Sequence, residues 1–433
     1  MQPTMEPDKR INIPMPRIQA TYLIETPHAP SDAAEAIANE QSSGTFVDVS
    51  TETDDLTERH GARVEDVTVR ATVDEPSLPG AETPDNSSDA GSYTRATAQL
   101  SYPMENIGTS LPNLMTMVAG NLFVLKELSG VRLIDLSIPE SFAAAQPGPQ
   151  FGIEGTREVV GIKDRPIIGT IIKPSVGLSP DETAKIVETV VDAGVDFIKD
   201  DELIAGPPYS PVEERVEAVM DVINRHEAET GETVMYACNV TGDVDEMLRR
   251  HDAVKDAGGN CLMVSLQSVG LAGVKRLREE SDLPIHGHRN GWGALSRCPL
   301  LGFSYEAWQK FWRLAGVDHL HVSGIRSKFY ESDESVIASA TECQTPIASQ
   351  KPVMPVFSSG QWADQVQDTY EVLGNADLMY LAGGGILGHP DGPGAGVTHL
   401  KQAWEAAMQG VPLEEYAETH EELRTAIEHY ENK

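Results

Sequence analysis

The stretch SPDETAKIVETVVDAGVDFIKDDEL, residues 179–203, holds one full unit of the rhythm that organises most of this chain. Apolar residues at helical spacing run through 179–194 and end at a glycine. A short apolar run, VDFIKD (195–200), follows and stops abruptly in charge. Amphipathic helix, turn, buried strand, polar strand end: this order is the signature of an α/β unit. A single unit could be an accident, and a DDE tail could be a solvated loop in an acidic chain. The recurrence of the unit decides otherwise.

Apolar runs of strand length occur at PIIGTII (166–172), VDFIKD (195–200), TVMYACNV (233–240) and CLMVSL (261–266). They continue at LPIHGH (283–288), VDHLHV (317–322), VMPVFS (353–358) and ADLMYLA (376–382). Helical stretches separate them, among them 212–231, 243–258, 269–280, 304–316, 333–343 and 362–374. Eight strand–helix units predict a closed (β/α)₈ barrel, whose functional face lies where strands end. The polar residues gather at those ends. Lys173 ends the first strand, Lys199, Asp201 and Glu202 the second, and Asn239 the third. His286, His288 and Arg289 end the fifth, His321 and Ser323 the sixth, Ser358 and Ser359 the seventh. The eighth runs into Gly383, Gly384 and Gly385.

Ahead of the barrel, IQATYLIE (18–25) and YTRATAQLSYP (93–103) alternate like strands, 31–41 and 110–125 read as helices, and GTFVDVS (44–50) as a further strand. This predicts a small α+β domain over 1–135, with loose residues 1–15 and an acidic insertion at about 50–95, then a barrel domain over 136–433. Asp and Glu number 67 against 33 Lys and Arg, a formal charge of −34. A field of that sign disfavours nucleic acid and anionic membranes and suits solubility in high salt, as in an acidic, haloarchaeon-like proteome. The four cysteines form no CxxC pair, which argues against a zinc ribbon or disulfide scaffold. No apolar segment approaches a membrane span, so a cytoplasmic location is expected.

Asp201 and Glu202 are hard oxygen donors suited to Mg²⁺, and the nearby Lys199 could simply pair with them as an ammonium. GVDFIKDDE resembles the metal-site motif of the ribulose-bisphosphate carboxylase large chain superfamily. The likeness extends through GTIIKPSVGLS, HGHR, HLHVSG, VFSSG and LAGGGILGHP, and into the first domain at ANEQSSGTF and VAGNLF, all in order. The resemblance implies a RuBisCO-like protein: an N-terminal α+β domain and a barrel, assembled as a homodimer or higher homo-oligomer with shared active sites. It implies that CO₂ forms a carbamate on Lys199, which then holds Mg²⁺ with Asp201 and Glu202 and allows an enediolate to be stabilised. Lys173 matches the acid/base lysine, His288 a residue near the substrate hydroxyls, and Lys328 a mobile-loop lysine. Arg289 and His321 match one anion subsite, and Ser358, Gly360, Gly383 and Gly384 the opposite phosphate region. Glu40 and Asn121 match residues supplied by the partner's N-terminal domain.

The departures are informative. Ser175 in KPSVG replaces the second lysine of the carboxylases, removing a cation from beside Lys173. Ser359 fills a glycine position in FSSG, Trp292 stands where it can close the arginine-side pocket against a second phosphate, and IRSKFYES lacks the glycines of the carboxylase loop. The combination of KPSVG, HGHRNGW and FSSGQW most resembles enzymes acting on 3-oxo-isoapionate 4-phosphate. The expected activity is Mg²⁺-dependent decarboxylation of a phosphorylated 3-oxo sugar acid. The alternatives are a transcarboxylase/hydrolase on the same class, an enolase or isomerase of methylthio-sugar phosphates, an authentic carboxylase, and a non-catalytic assembly protein.

Overall fold

The computed structural model describes residues 16–44, 49–84 and 92–431, and these fall into two compact units divided between Phe142 and Ala143. The first contains four strands, β1 (Arg17–Thr26), β2 (Arg63–Val73), β3 (Tyr93–Pro103) and β4 (Gly130–Ser137). Within this unit they lie in the order β4-β1-β3-β2, each pair antiparallel. Alternation in β1 buries Ile18, Ala20, Tyr22 and Ile24, the period expected of a strand with one covered face. The helix Pro30–Glu40 buries Ala33, Ala34, Ile37 and Ala38.

The first unit holds more regular structure than its composition suggested. Residues 54–60 form a helix and 63–73 the strand β2, inside the segment read as an acidic insertion. The strand escaped reading because it has no buried face; Val69 is 60 % exposed. Strand β4 was likewise not anticipated. The helix predicted over 110–125 stops at Ala119, where the Gly120 backbone leaves the helical region, and a 3₁₀ turn follows at Asn121–Val124. The readings for 1–15, and the centre of the strand read at 44–50, lie outside the described residues.

In the second unit, β5 (Ile167–Ile171), β6 (Phe197–Lys199), β7 (Met235–Asn239), β8 (Cys261–Ser265) and β9 (Ile285–His288) run parallel. A short strand, β10 (Leu301–Phe303), is not part of the barrel. β11 (His319–Ser323), β12 (Met354–Phe357) and β13 (Met379–Leu381) complete a closed eight-stranded barrel. Each barrel strand coincides with one of the eight apolar runs. The 180–192 helix shows why the pattern was readable. Ser179 and Glu182 form a reciprocal capping box, Pro180 opens the helix, and Thr183, Val187, Val190 and Val191 are buried. Gly194, with φ of 80°, then turns the chain toward β6.

Alternate residues point inward and fill the barrel in layers: Ile167, Phe197, Met235, Ala237, Cys261, Met263, Met354, Val356, Met379 and Leu381. Gly169 is required there, because a Cβ would stand 2.4 Å from Leu381 Cδ2. The helix Gly152–Val160 adds Ile153 and Val160 to this core. Near it the buried Asp318 carboxylate accepts from the backbone N–H groups of Phe151 (2.6 Å), Gly152 (3.0 Å) and Ile285 (2.9 Å), and from Arg278 (3.1 Å). Among the described residues, no helix is long and apolar enough to cross a membrane.

Just outside β6, the buried Asp200 carboxylate accepts from Arg215 (3.0 and 3.2 Å), the Tyr236 hydroxyl (2.6 Å) and the Asn239 backbone N–H (2.9 Å). Arg215 is fully enclosed. Removing one partner of such a pair strands a charge and costs about 3–5 kcal/mol. Arg215→Met should therefore lower the calorimetric melting temperature markedly, whereas Glu213→Gln, on the exposed face of the same helix, should leave it unchanged. Equal melting of the two variants would show that the pair contributes nothing.

Candidate active site

The end of β6 separates its charges by strand parity. Lys199 points into the barrel mouth, Asp200 points out to Arg215, and Asp201 returns to the mouth. The Lys199 ammonium is buried and donates to the Asp200 carbonyl (2.8 Å) and to Glu202 Oε2 (3.3 Å). Asp201 Oδ2 accepts from Lys173 at 2.6 Å, while Ser175 Oγ accepts from the same ammonium at 2.9 Å. His288 Nε2 lies 3.4 Å from Glu202 Oε2. Two lysines, two carboxylates and an imidazole thus meet at one strand end.

Burial is the largest influence on Lys199 and lowers its pKa, against the pull of Glu202 and Asp201. Burial opposes ionisation of Glu202, but the facing His288 and Lys199 outweigh it and hold that carboxyl below its usual range. Burial and the neighbouring Lys199 push His288 down to about 4, with Glu202 pulling the other way. Near neutral pH the imidazole is uncharged, so Lys199 is the principal cation that Glu202 meets.

A cavity of about 760 Å³ opens over this cluster. Its lining includes Lys173, Lys199, Glu202, His288, Arg289, His321, Lys328, Ser358, Ser359, Gly360, Gly383 and Gly384, so the sequence-predicted residues of the barrel are brought together. Asp201 belongs to the same cluster through Lys173. His321 Nδ1 and Ser358 Oγ are 3.1 Å apart, and His321 Nε2 lies 2.7 Å from His286 Nε2. Ser359 keeps a left-handed backbone, φ 74°, a conformation that favours glycine, and its carbonyl accepts from the Lys328 N–H at 3.1 Å. A Cβ on Gly384 would meet no atom within 4 Å, so packing does not demand glycine there.

Glu40 and Asn121 lie in the first unit, where Asn121 donates to Glu40 at 3.0 Å beside a separate cavity of about 450 Å³. Arg289, expected to take an anion, already has one. Its guanidinium engages both oxygens of Glu331. Sequence reasoning missed Glu331 because an acid in a loop is unremarkable in so acidic a chain. Asp200 was missed too, although strand alternation with Lys199 was a usable signal.

The donor set bears on metal binding. Among the described residues, no three His, Cys, Asp or Glu side chains form a metal-ligating group. Asp201 and Glu202 supply two hard carboxylates, and an ammonium on Lys199 cannot be a ligand. The cluster fits Mg²⁺ only if Lys199 carries an anionic oxygen group.

Residues 152–430 match the ribulose bisphosphate carboxylase large chain catalytic domain, and residues 17–142 match the N-terminal domain of the same large chain. The chain is 54 % identical over 413 residues to a 3-oxo-isoapionate-4-phosphate transcarboxylase/hydrolase of Xanthobacter autotrophicus, covering 95 % of this chain and 98 % of that one. It is 47 % identical over 414 residues to a 3-oxo-isoapionate-4-phosphate decarboxylase of Rhizobium etli, covering 95 % and 98 %. The crystal structure of a rubisco-like protein from Burkholderia fungorum superposes with a TM-score of 0.89 at 45 % identity, covering 96 % of this chain and all of that one. With both domains matched and the barrel-mouth lysines and carboxylates assembled in one place, the chain belongs to the ribulose bisphosphate carboxylase large chain family, among its RuBisCO-like members.

Proposed function

We propose that the barrel cleaves the carbon–carbon bond next to the 3-oxo group of a phosphorylated sugar acid of the 3-oxo-isoapionate 4-phosphate kind. The observation that carries this is the meeting of Lys173, Lys199, Asp201 and Glu202 at one strand end, with Ser175 in contact with Lys173. Ser175 stands where the carboxylases carry a second lysine, so at the cavity wall Lys173 is held by a hydroxyl and by Asp201. Between the two fates of the carboxyl unit, the 54 % identity to a transcarboxylase/hydrolase favours transfer: the carboxyl carbon leaves one carbon of the enediolate and bonds to the other, and water then cleaves the rearranged 3-oxo acid at the carbon–carbon bond beside its ketone. Release as CO₂ is the second reading, favoured by the 47 % identity to a decarboxylase.

Lys199, once carbamylated, would hold Mg²⁺ with Asp201 and Glu202. Bound there, the ion supplies Lewis-acid polarisation of a ketone oxygen. The chain's own residues do the rest. Gly383 and Gly384 leave room for a phosphate to approach the backbone. His288, uncharged, hydrogen-bonds a substrate hydroxyl. Lys173 delivers its proton to the carbon left electron-rich by the last carbon–carbon cleavage, which is hydrolysis after transfer or loss of CO₂ in the second reading, and regains one from solvent. Lys328 covers the bound substrate.

With substrate labelled at the carboxyl carbon, transcarboxylase/hydrolase action should leave all label in non-volatile acids, and decarboxylation should release it as CO₂. In D₂O one solvent deuteron should enter stereospecifically at the carbon that is protonated. Lys173→Met should slow turnover by about 10²–10⁴-fold, the usual contribution of a positioned acid. Wild-type rate and stereochemistry in that variant would remove Lys173 from the proton path.

The carbamate forms when the neutral amine of Lys199 attacks CO₂, the new N–C bond displacing a proton to solvent. Burial lowers the Lys199 pKa, so more of the amine is neutral at a given pH than for an exposed lysine, and the carbamate should form at lower pH. A carbamate ¹³C resonance should therefore appear in wild-type protein given ¹³C-bicarbonate and Mg²⁺, and be missing in Lys199→Arg. Its absence from the wild type would leave Lys199 as a structural cation.

The assembly proposed is a homodimer or larger, in which Glu40 and Asn121 complete the partner's barrel mouth. Mixing inactive Glu40→Ala with inactive Lys173→Met should restore activity through hybrid sites. Activity in a species that light scattering shows to be monomeric would exclude shared sites.

A further inference from the structure

We propose that Glu331 is a specificity residue: its carboxylate fills the guanidinium fork of Arg289 and restricts the cavity to substrates with a single phosphate. This rests on reading the cavity as a sugar-phosphate site. Arg289 Nη1 donates to Glu331 Oε1 at 3.0 Å, and Nη2 donates to Oε2. The Trp292 indole N–H donates to the same Oε1 at 3.2 Å. Both charged side chains are nearly enclosed, at 9 % and 7 % exposure.

A guanidinium edge offers two parallel N–H groups that suit a carboxylate and a phosphate equally well. The edge is spent on Glu331. The Arg289 guanidinium carbon also sits 5.0 Å from the centre of the Tyr305 ring, so one of its faces is covered by an aromatic wall. That wall continues into Trp292, whose ring lies 5.3 Å from Tyr305 and 4.9 Å from Trp308. A phosphate arriving here would have to displace a held carboxylate and would then face it as a like charge. A neutral hydroxyl or hydroxymethyl end suffers neither penalty. Glu331 lies on the same loop as Lys328 and lines the same cavity, so the carboxylate is carried to Arg289 by a segment of the cavity wall.

The test uses two unreactive polyols of equal length, xylitol 5-phosphate and xylitol 1,5-bisphosphate, with binding read by calorimetry on the full chain. Wild-type protein should hold the monophosphate at least as tightly as the bisphosphate. Glu331→Gln, which keeps the side-chain shape and removes the charge, should tighten the bisphosphate at least tenfold and change the monophosphate less than threefold. Adding Arg289→Met to that variant should abolish the gain. Preference of the wild type for the bisphosphate, binding of neither polyol, or an unchanged ratio in a folded Glu331→Gln protein would overturn the proposal. Were that variant not to fold, the wild-type ratio alone decides. Neither polyol carries a keto acid, so the result stands apart from whether the chain cleaves a 3-oxo acid.

Discussion

The alternation of side chains at the end of β6 is the constraint on which the site depends. Three consecutive charges could not share one environment without mutual repulsion and desolvation. The pleat distributes them. Lys199 enters the mouth, Asp200 turns outward to Arg215, and Asp201 comes back toward Lys173. Asp200 also accepts from Tyr236 and from the Asn239 backbone. One enclosed carboxylate thereby fixes the ends of two adjacent strands, and the reactive groups inherit their positions from it. The charge is tolerable at that depth because its donors are already in place.

The remaining polar residues follow the same logic at other strand ends. His286, His321 and Ser358 form a continuous contact chain beneath the cavity, His321 touching His286 through Nε2 and Ser358 through Nδ1. Burial keeps His286 and His321 uncharged, so they serve as rigid packing with directed hydrogen bonds. The lysines and Arg289 carry the positive charge, and carboxylates within reach balance most of it. An overall acidic chain therefore has a mouth in which each close cation–anion pair is local and specific.

The barrel was legible in the sequence because its strands are enclosed on both faces and read as unbroken apolar runs between amphipathic helices. The lysines and carboxylates stood out because polar residues recur at strand ends on one face and GVDFIKDDE resembles the superfamily's metal-site motif. What escaped reading had no such contrast. β2 is exposed along most of its length and sits among acids and threonines. Asp200 differs from Asp201 only by the face of the strand it occupies. Glu331 gains its meaning from Arg289, 42 residues earlier, and no local pattern joins the two. Arg289 was expected to take an anion from the substrate, and the carboxylate that occupies its fork could be seen only in three dimensions.

The inward layers of the barrel contain Met235, Met263, Met354 and Met379 together with Cys261. Thioethers fill irregular space well because they are flexible and polarisable. They also make this core chemically susceptible in a way that an aliphatic core is not. Conversion of a methionine to its sulfoxide would insert a polar, unpartnered oxygen into a closed interior. While the strands remain closed, these sulfurs are shielded from solvent. The rate at which they oxidise is therefore a clock for the opening of the barrel, and the damage, once done, prevents the opened chain from closing again.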